Sequence, residues 1–317
     1  MRITLTHNPK SGDELPADDL RALLEAEDYE IAYVSTKKRR KLERALQDPG
    51  EFVVVAGGDG TVAKVARKLA GRGVPLAILP FGTANNIAKS IGVLGPTRQL
   101  IAGWRTATRR PFDVGTVVSP RGGRRFVESV GCGVFAQLVA RGQSEVDDNP
   151  LEFTGNEIDR ALLLLRHILE SSSVRRVELE LDGDDLSGDY LLVEAMNIRH
   201  AGPNVPLAPD AVQGDGLLDV VAVTEDDRTP LLRYIAGRLA GSGEVPALPV
   251  RRGRRLVMAY AATAVHVDDD IWPEIADDAE EESVVRRANG EPPGVLQIEL
   301  ERGALEVLVS APAGTFP

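Results

Sequence analysis

Short apolar runs alternate with helical patterns through the first third of the chain. Residues 2–6 read as a strand, closed by the turn-forming residues Asn8, Pro9, Lys10, Ser11 and Gly12. Leu20, Leu23 and Leu24 mark a helix, residues 31–34 a second strand, and Leu42, Ala45 and Leu46 the apolar side of a basic helix. Residues 52–56 form a continuous valine-rich run, the pattern of a strand buried on both faces. A glycine loop at 57–60 follows, and Val62, Val65, Ala66 and Leu69 then fall on one face of a helix over 61–70. Another buried strand at 75–79, a loop at 80–83 and a helix over 85–91 complete the series. This alternation predicts a parallel sheet flanked by helices.

The texture changes near Asp113. Short strands are expected at 115–119, 126–131, 175–181, 190–196, 217–223, 255–260, 264–268, 295–300 and 304–309, with helices near 157–170 and 230–240. The acidic stretch 273–287 reads as a surface insertion. The expected fold class is therefore α/β plus β: a three-layer α/β domain over 1–112 and a β-rich, sandwich-like domain over 113–317. The C-terminal tail is expected to return to the first domain.

Composition narrows this only slightly. The chain has 317 residues, which suits two domains, and 43% apolar content, enough for real cores. Cys132 is the single cysteine, so no intrachain disulfide forms, and the four histidines show no zinc spacing. A net charge of −11 argues against nucleic acid as a partner. Basic runs at 37–41, 124–125 and 251–255 read either as solvated surface or as attraction to anionic lipid headgroups. No apolar stretch reaches the roughly 18 residues of a membrane span, and the first residues lack a signal-peptide pattern. A cytoplasmic protein with peripheral membrane contact is the expectation.

The chemistry concentrates where the strand at 52–56 runs through Gly57, Gly58, Asp59, Gly60 and Thr61 into a helix. Glycines permit positive φ and close backbone approach to a ligand, and N–H groups at a helix start favour an anion. Asp59 is unusual there, because a carboxylate facing phosphate needs an intervening cation, which a magnesium nucleotide supplies. A Walker-A pattern is absent. A dinucleotide fingerprint is partly matched by Gly58, Gly60 and Ala63, but the next strand ends in Pro80 where an acid is expected. A strand–turn–helix without a ligand is the third reading.

Gly-Gly-Asp-Gly-Thr at 57–61 resembles the signature shared by diacylglycerol kinases, sphingosine kinases and NAD kinases. Three further segments resemble the lipid-kinase branch: Asn-Pro-Lys-Ser-Gly at 8–12, Pro-Phe-Gly-Thr-Ala-Asn-Asn-Ile-Ala at 80–88, and Asp-Gly-Leu-Leu-Asp-Val at 215–220. All four stand in the family's order and together cover nearly the whole chain. The resemblance implies an ATP-dependent lipid kinase, with diacylglycerol as the expected acceptor and an active site in an interdomain cleft. The alternatives are a catalytically impaired nucleotide- or lipid-binding homologue, or a soluble NAD kinase-like enzyme.

Carried over residue by residue, Asn8, Pro9, Lys10, Ser11, Gly12, Gly57, Gly58, Asp59, Gly60 and Thr61 line the ATP phosphates, with Thr36 and Thr83 as further nucleotide contacts. Ser35 and Thr36 also read as a cap for the basic helix. A Mg²⁺ site is implied at the Asp215 side chain and the carbonyls of Val212 and Leu217; a tight turn at 214–216 is the other reading. The family's general base is the glutamate of an Asp-Gly-Glu element. Flanking strands place Asp270 there, distance to the closing strand favours Glu291, and a solvated turn at 268–270 is the bland alternative. Asp270 is preferred, with Asp59 assisting. Two departures stand out: Ala63-Lys64 replaces the family's Asn-Glu after the threonine, and Asn86 replaces an aspartate. Val134, Phe135, Ala136 and residues 203–209 are candidate walls for a lipid. The implied partner is a lipid at the membrane surface, and a homodimer is an open expectation.

Overall fold

The computed structural model describes residues 1–9, 15–120, 122–144, 156–242, 244–260, 264–272 and 294–310. The chain divides into two compact units. The first comprises Met1–Val114 and Gln213–Asp215 with the chain from Glu301 onward; the second comprises Gly115–Val212 and Gly216–Leu300.

The first unit is built on β1 (Arg2–His7), β2 (Glu30–Ser35), β3 (Val53–Gly57) and β4 (Leu76–Pro80), all parallel, in the order β4-β3-β1-β2. Crossovers run through α1 (Ala17–Glu25), α2 (Arg39–Ala45) and α3 (Asp59–Leu69), and are followed by α4 (Asn86–Ile91) and α5 (Thr97–Gly103). The central strand β3 is buried along its whole length, as a Val-Val-Val-Ala-Gly run between two strands requires. The helix α3 buries Val62, Val65, Ala66 and Leu69, the i, i+3, i+4, i+7 stripe. At the N-terminal ends of the strands Tyr29, Phe52 and Trp104 meet edge to face, with centroids 5.7–6.3 Å apart. That leaves the C-terminal ends of the strands for chemistry.

The second unit takes up the chain in β5 (Thr108–Ser119), β6 (Gly122–Phe126) and β7 (Ser129–Gly133), then α6 (Val134–Ser144) and α7 (Glu157–Ser171). It continues through β8 (Arg175–Leu181), β9 (Asp184–Asp185), β10 (Gly188–Tyr190), β11 (Leu192–Met196) and β12 (Leu218–Val223). After α8 (Arg228–Leu239) come β13 (Val250–Gly253), β14 (Arg255–Tyr260), β15 (Val265–Val267), β16 (Asp270–Trp272) and β17 (Gly294–Val309). One antiparallel sheet runs β13-β12-β11-β7-β15-β16. Its inner face supplies Val130, Val193, Val220 and Val267 to a core shared with Leu179 of β8, Met258 of β14 and Ile298 of β17. Its other face carries Leu192, Met196 and Val221, packed with α6, α7 and α8. The last part of β17, which from Glu301 onward belongs to the first unit, lies parallel to β4, with Val307 opposite Leu76.

Several expectations are corrected, among them the single strand expected at 190–196, which divides into β10 and β11 in different sheets. The strand expected at 126–131 is two strands, because the N–H groups of Val127 and Glu128 bond the Asp268 carboxylate instead of a neighbouring strand. The strands expected at 295–300 and 304–309 are one, since Gly303 adopts φ 60° and its N–H donates to buried Asp113 (2.6 Å). The helix α6 was not anticipated: 134–139 is apolar on nearly every side, and periodicity cannot separate such a run from a strand. Val134, Phe135 and Ala136, proposed as lipid walls, are buried, and Val134 and Phe135 pack in one core with Ala201, Val205, Leu207 and Ala208.

Candidate active site

In the first unit those of the expected nucleotide residues that are described gather at the C-terminal edge of the sheet. Asn8 leaves β1 with its N–H on the Ala56 carbonyl (3.1 Å) and its amide Nδ2 donating to Thr61 Oγ1 (3.4 Å). Thr36 is buried at the end of β2, where its N–H (3.0 Å) and hydroxyl (3.4 Å) both donate to the His7 carbonyl. That excludes its alternative role as a cap, since α2 begins after Lys38. Lys64, one turn into α3, donates from Nζ to the Thr36 carbonyl (3.1 Å), placing a cation where the resemblance implied a carboxylate.

The glycines act differently from expectation. Gly57, Gly58 and Gly60 do not take positive φ; Gly58 is extended, with φ −83° and ψ −177°. For Gly57 and Gly58 the requirement is close approach. A Cβ on Gly82 would sit 2.4 Å from the Gly58 Cα, and one on Gly57 would meet Thr61 at 2.8 Å. The loops after β3 and β4 are thus pressed backbone to backbone, helped by Phe81 N–H donating to the Gly57 carbonyl (3.1 Å). The N–H groups of Thr61 and Val62 return to the Gly58 carbonyl (2.9 and 3.0 Å). Those of Asp59 and Gly60 lie in the first helical turn, where an α-helix offers no acceptor of its own.

Asp59 links the two loops. Its Oδ2 accepts from Asn86 N–H and its Oδ1 from Ile87 N–H, both at 2.9 Å. Burial pushes its pKa above the ordinary carboxylate value, and the bonds from Ile87 and Asn86 pull it back. Asn85, left-handed at φ 51°, closes the second loop through Gly82 N–H to its Oδ1 (2.8 Å) and its Nδ2 to the Gly82 carbonyl (2.5 Å). Pro9 and Thr83 are exposed on the same loops. Lys10, Ser11, Gly12 and Glu291, like the stretch 273–287, lie outside the described residues.

In the second unit Asp268 and Asp270 share a hairpin but have different environments. Asp268 is buried and left-handed (φ 52°), and its carboxylate accepts from Val127 N–H (2.9 Å) and Glu128 N–H (2.7 Å). Asp270 begins β16 opposite Val267, is about half exposed, and pairs with Arg124 of β6. Behind this hairpin lies a pair the sequence reading missed: buried His266 places Nε2 2.9 Å from Glu194 Oε1. A charge inside the apolar run Leu-Leu-Val-Glu-Ala-Met was the available signal, because an unpaired buried carboxylate is prohibitively costly.

The expected metal loop is a tight turn, with φ 92° at Gly214 and 78° at Gly216. Asp215 and Leu217 are partly exposed and Val212 is exposed. Among the described residues no group of three or more His, Cys, Asp or Glu is placed to hold a metal. One carboxylate with backbone carbonyls is an oxygen donor set that fits only a well-hydrated Mg²⁺.

Residues 2–117 match the diacylglycerol kinase catalytic domain, and residues 134–308 match the YegS C-terminal NAD kinase beta sandwich-like domain. A probable lipid kinase YegS-like protein of Pseudomonas aeruginosa (strain UCBPP-PA14) is 32% identical over 86% of this chain and 87% of its own. This chain belongs to the diacylglycerol kinase and YegS-like lipid kinase family. A diacylglycerol kinase of Mycobacterium tuberculosis (strain H37Rv) is 28% identical over 73% of this chain and 74% of its own. The crystal structure of a diacylglycerol kinase from Bacillus anthracis shares the fold, with a TM-score of 0.66 at 20% identity over 98% of this chain and 97% of that one. Membership in this kinase family implies ATP as the phosphoryl donor. No helix among the described residues is long and apolar enough to cross a membrane.

Proposed function

We propose that this lipid kinase transfers the γ-phosphoryl group of ATP to the hydroxyl of diacylglycerol. The observation that carries the nucleotide half is the Gly58–Gly82 contact locked by Asp59. It builds a backbone cradle, free of side-chain bulk, at the start of α3. Gly58, Gly60 and Thr61 would meet phosphate oxygens, and Asn8 orients the Thr61 hydroxyl. Bound Mg²⁺ would neutralise phosphate charge, as phosphoryl transfer demands; Asp215 is the carboxylate proposed for a separate, structural ion. In the second unit Asp270 is the acid that accepts the hydroxyl proton, because its carboxylate is accessible whereas that of Asp268 is spent on backbone N–H groups. Diacylglycerol as acceptor is supported by relatives bearing that name.

The test is ATP consumption with diacylglycerol vesicles, with sphingosine and NAD as competing acceptors. Phosphorylation of NAD alone would overturn the lipid half. Unchanged turnover in Asp59→Ala would overturn the cradle, because that variant removes both bonds to α4. Lys64 on the Thr36 carbonyl favours a second reading, a binding protein without turnover, in which ATP raises Tm but no lipid is phosphorylated.

A further inference from the structure

We propose that the buried Glu194–His266 pair is a positioning device for Asp270, gripping the turn between β15 and β16 from inside the sheet. This rests on the proposed role of Asp270 as the acid. Glu194 and His266 stand on β11 and β15, separated by β7, with Gly131 opposite both in register. A Cβ at residue 131 would lie 2.2 Å from Glu194 Oε1, so only glycine lets the carboxylate cross over the intervening strand.

His266 then faces an acceptor at each ring nitrogen. Nε2 lies 2.9 and 3.0 Å from the two Glu194 oxygens, and Nδ1 lies 2.9 Å from the Asp268 carbonyl. A neutral imidazole carries one N–H, so only the imidazolium satisfies both sides. Burial by itself lowers the imidazole pKa. The Glu194 charge, its hydrogen bond and the Asp268 carbonyl outweigh that, and the pKa is raised to about 9.

The far end of this relay is the turn itself. Asp268 gives its carbonyl to His266, its N–H to the Ser129 carbonyl (2.9 Å) and its carboxylate to Val127 and Glu128. Its left-handed backbone is therefore fixed on three sides, and Asp270, two residues on, inherits that placement with Arg124 as its counterion. Among the described residues, the other ionisable groups on or beside the elements packed against His266 are Asp268, whose charge also raises the His266 pKa, buried Glu128 just before β7, Cys132 on β7, Asp269 and Asp270 on its own hairpin, and Arg141 on α6. Burial, then Glu194, push the Cys132 thiol up to about 12, so it stays neutral throughout the range in which His266 titrates.

A buried ion pair is a poor source of stability compared with apolar residues of the same volume. What this one adds is a second donor aimed at the turn.

The test follows His266 ring ¹⁵N and Asp270 carboxyl ¹³C resonances of the labelled wild-type chain from pH 6 to about pH 10. His266 is expected to carry both protons at neutral pH and lose one near pH 9, with the Asp270 resonance moving at the same midpoint. Neutral His266 at pH 7, or an Asp270 signal unmoved when His266 deprotonates, overturns the proposal. Neither readout requires turnover, so an inactive wild-type enzyme would count against the lipid-kinase reading alone. In an active enzyme, Glu194→Gln is expected to lower kcat at least about tenfold with KM for ATP within about twofold, and to shift the alkaline limb of the rate profile to lower pH. An unshifted limb in the folded variant overturns the proposal.

Discussion

In the first unit Asp59 is held by two backbone N–H groups at the start of α4, 27 and 28 residues further along the chain, while in the second the turn that carries Asp268 and Asp270 is also gripped by side chains: His266, backed by Glu194, at Asp268 and Arg124 at Asp270. The first arrangement is made almost wholly of main chain: two glycines in contact, one carboxylate capping the neighbouring loop and one asparagine closing it. The second is a relay of ionised side chains crossing from β11 over a glycine to β15 and then to the turn. Backbone geometry tolerates changes in surrounding side chains but not an added Cβ. A charged relay does not survive the loss of one charge, which leaves its partner buried and uncompensated.

Asp270→Asn gives the largest expected effect: a fall in kcat of about 10²–10⁴-fold with little change in nucleotide affinity, checked by steady-state kinetics on diacylglycerol vesicles. Glu194→Ala leaves the His266 imidazolium without its counterion and should cost about 3–5 kcal/mol of stability, measured by urea unfolding. The sign of its pH dependence follows from the raised pKa of His266. The wild-type advantage is complete below about pH 6.5 and disappears as pH rises through about 9, so the two proteins converge at alkaline pH. Gly82→Ala pushes a methyl against the Gly58 backbone; about 1–3 kcal/mol of destabilisation is expected, with loss of the ATP-dependent rise in Tm. Lys64→Met removes one charged donor at a partly exposed position and is expected to change nucleotide affinity by about 1 kcal/mol, read by titration calorimetry. If Glu194→Ala proves as mild as Lys64→Met, the contrast between a backbone cradle and a charged relay fails.

Much of the first unit was legible because its signals are local. The valine run of β3, the α3 stripe and the Gly-Gly-Asp-Gly-Thr turn each lie within a dozen residues, and the strands appear within a residue or two of their expected bounds. The glycines lack the positive φ expected of them, and Gly58 instead meets Gly82 of a second loop backbone to backbone, a contact no local pattern reveals. In the second unit the strand at 175–181 was recovered with its true ends, since alternation in Arg-Arg-Val-Glu-Leu-Glu-Leu is itself the burial pattern. The break after Phe126 was not, because it is imposed by a carboxylate 141 residues away.

The sequence alone determined the order of strands and helices from β1 to α4, the family motifs and the acids available for chemistry, because hydrophobic period and turn residues act over one or two turns of chain. Tertiary structure decided what each polar group does. It turned Asp59 toward α4, buried Asp268 while leaving Asp270 accessible, and brought Glu194 across β7 to His266. Hydrogen bonds and ion pairs act over about 3 Å in space regardless of separation along the chain, so their partners are fixed only when the sheets close.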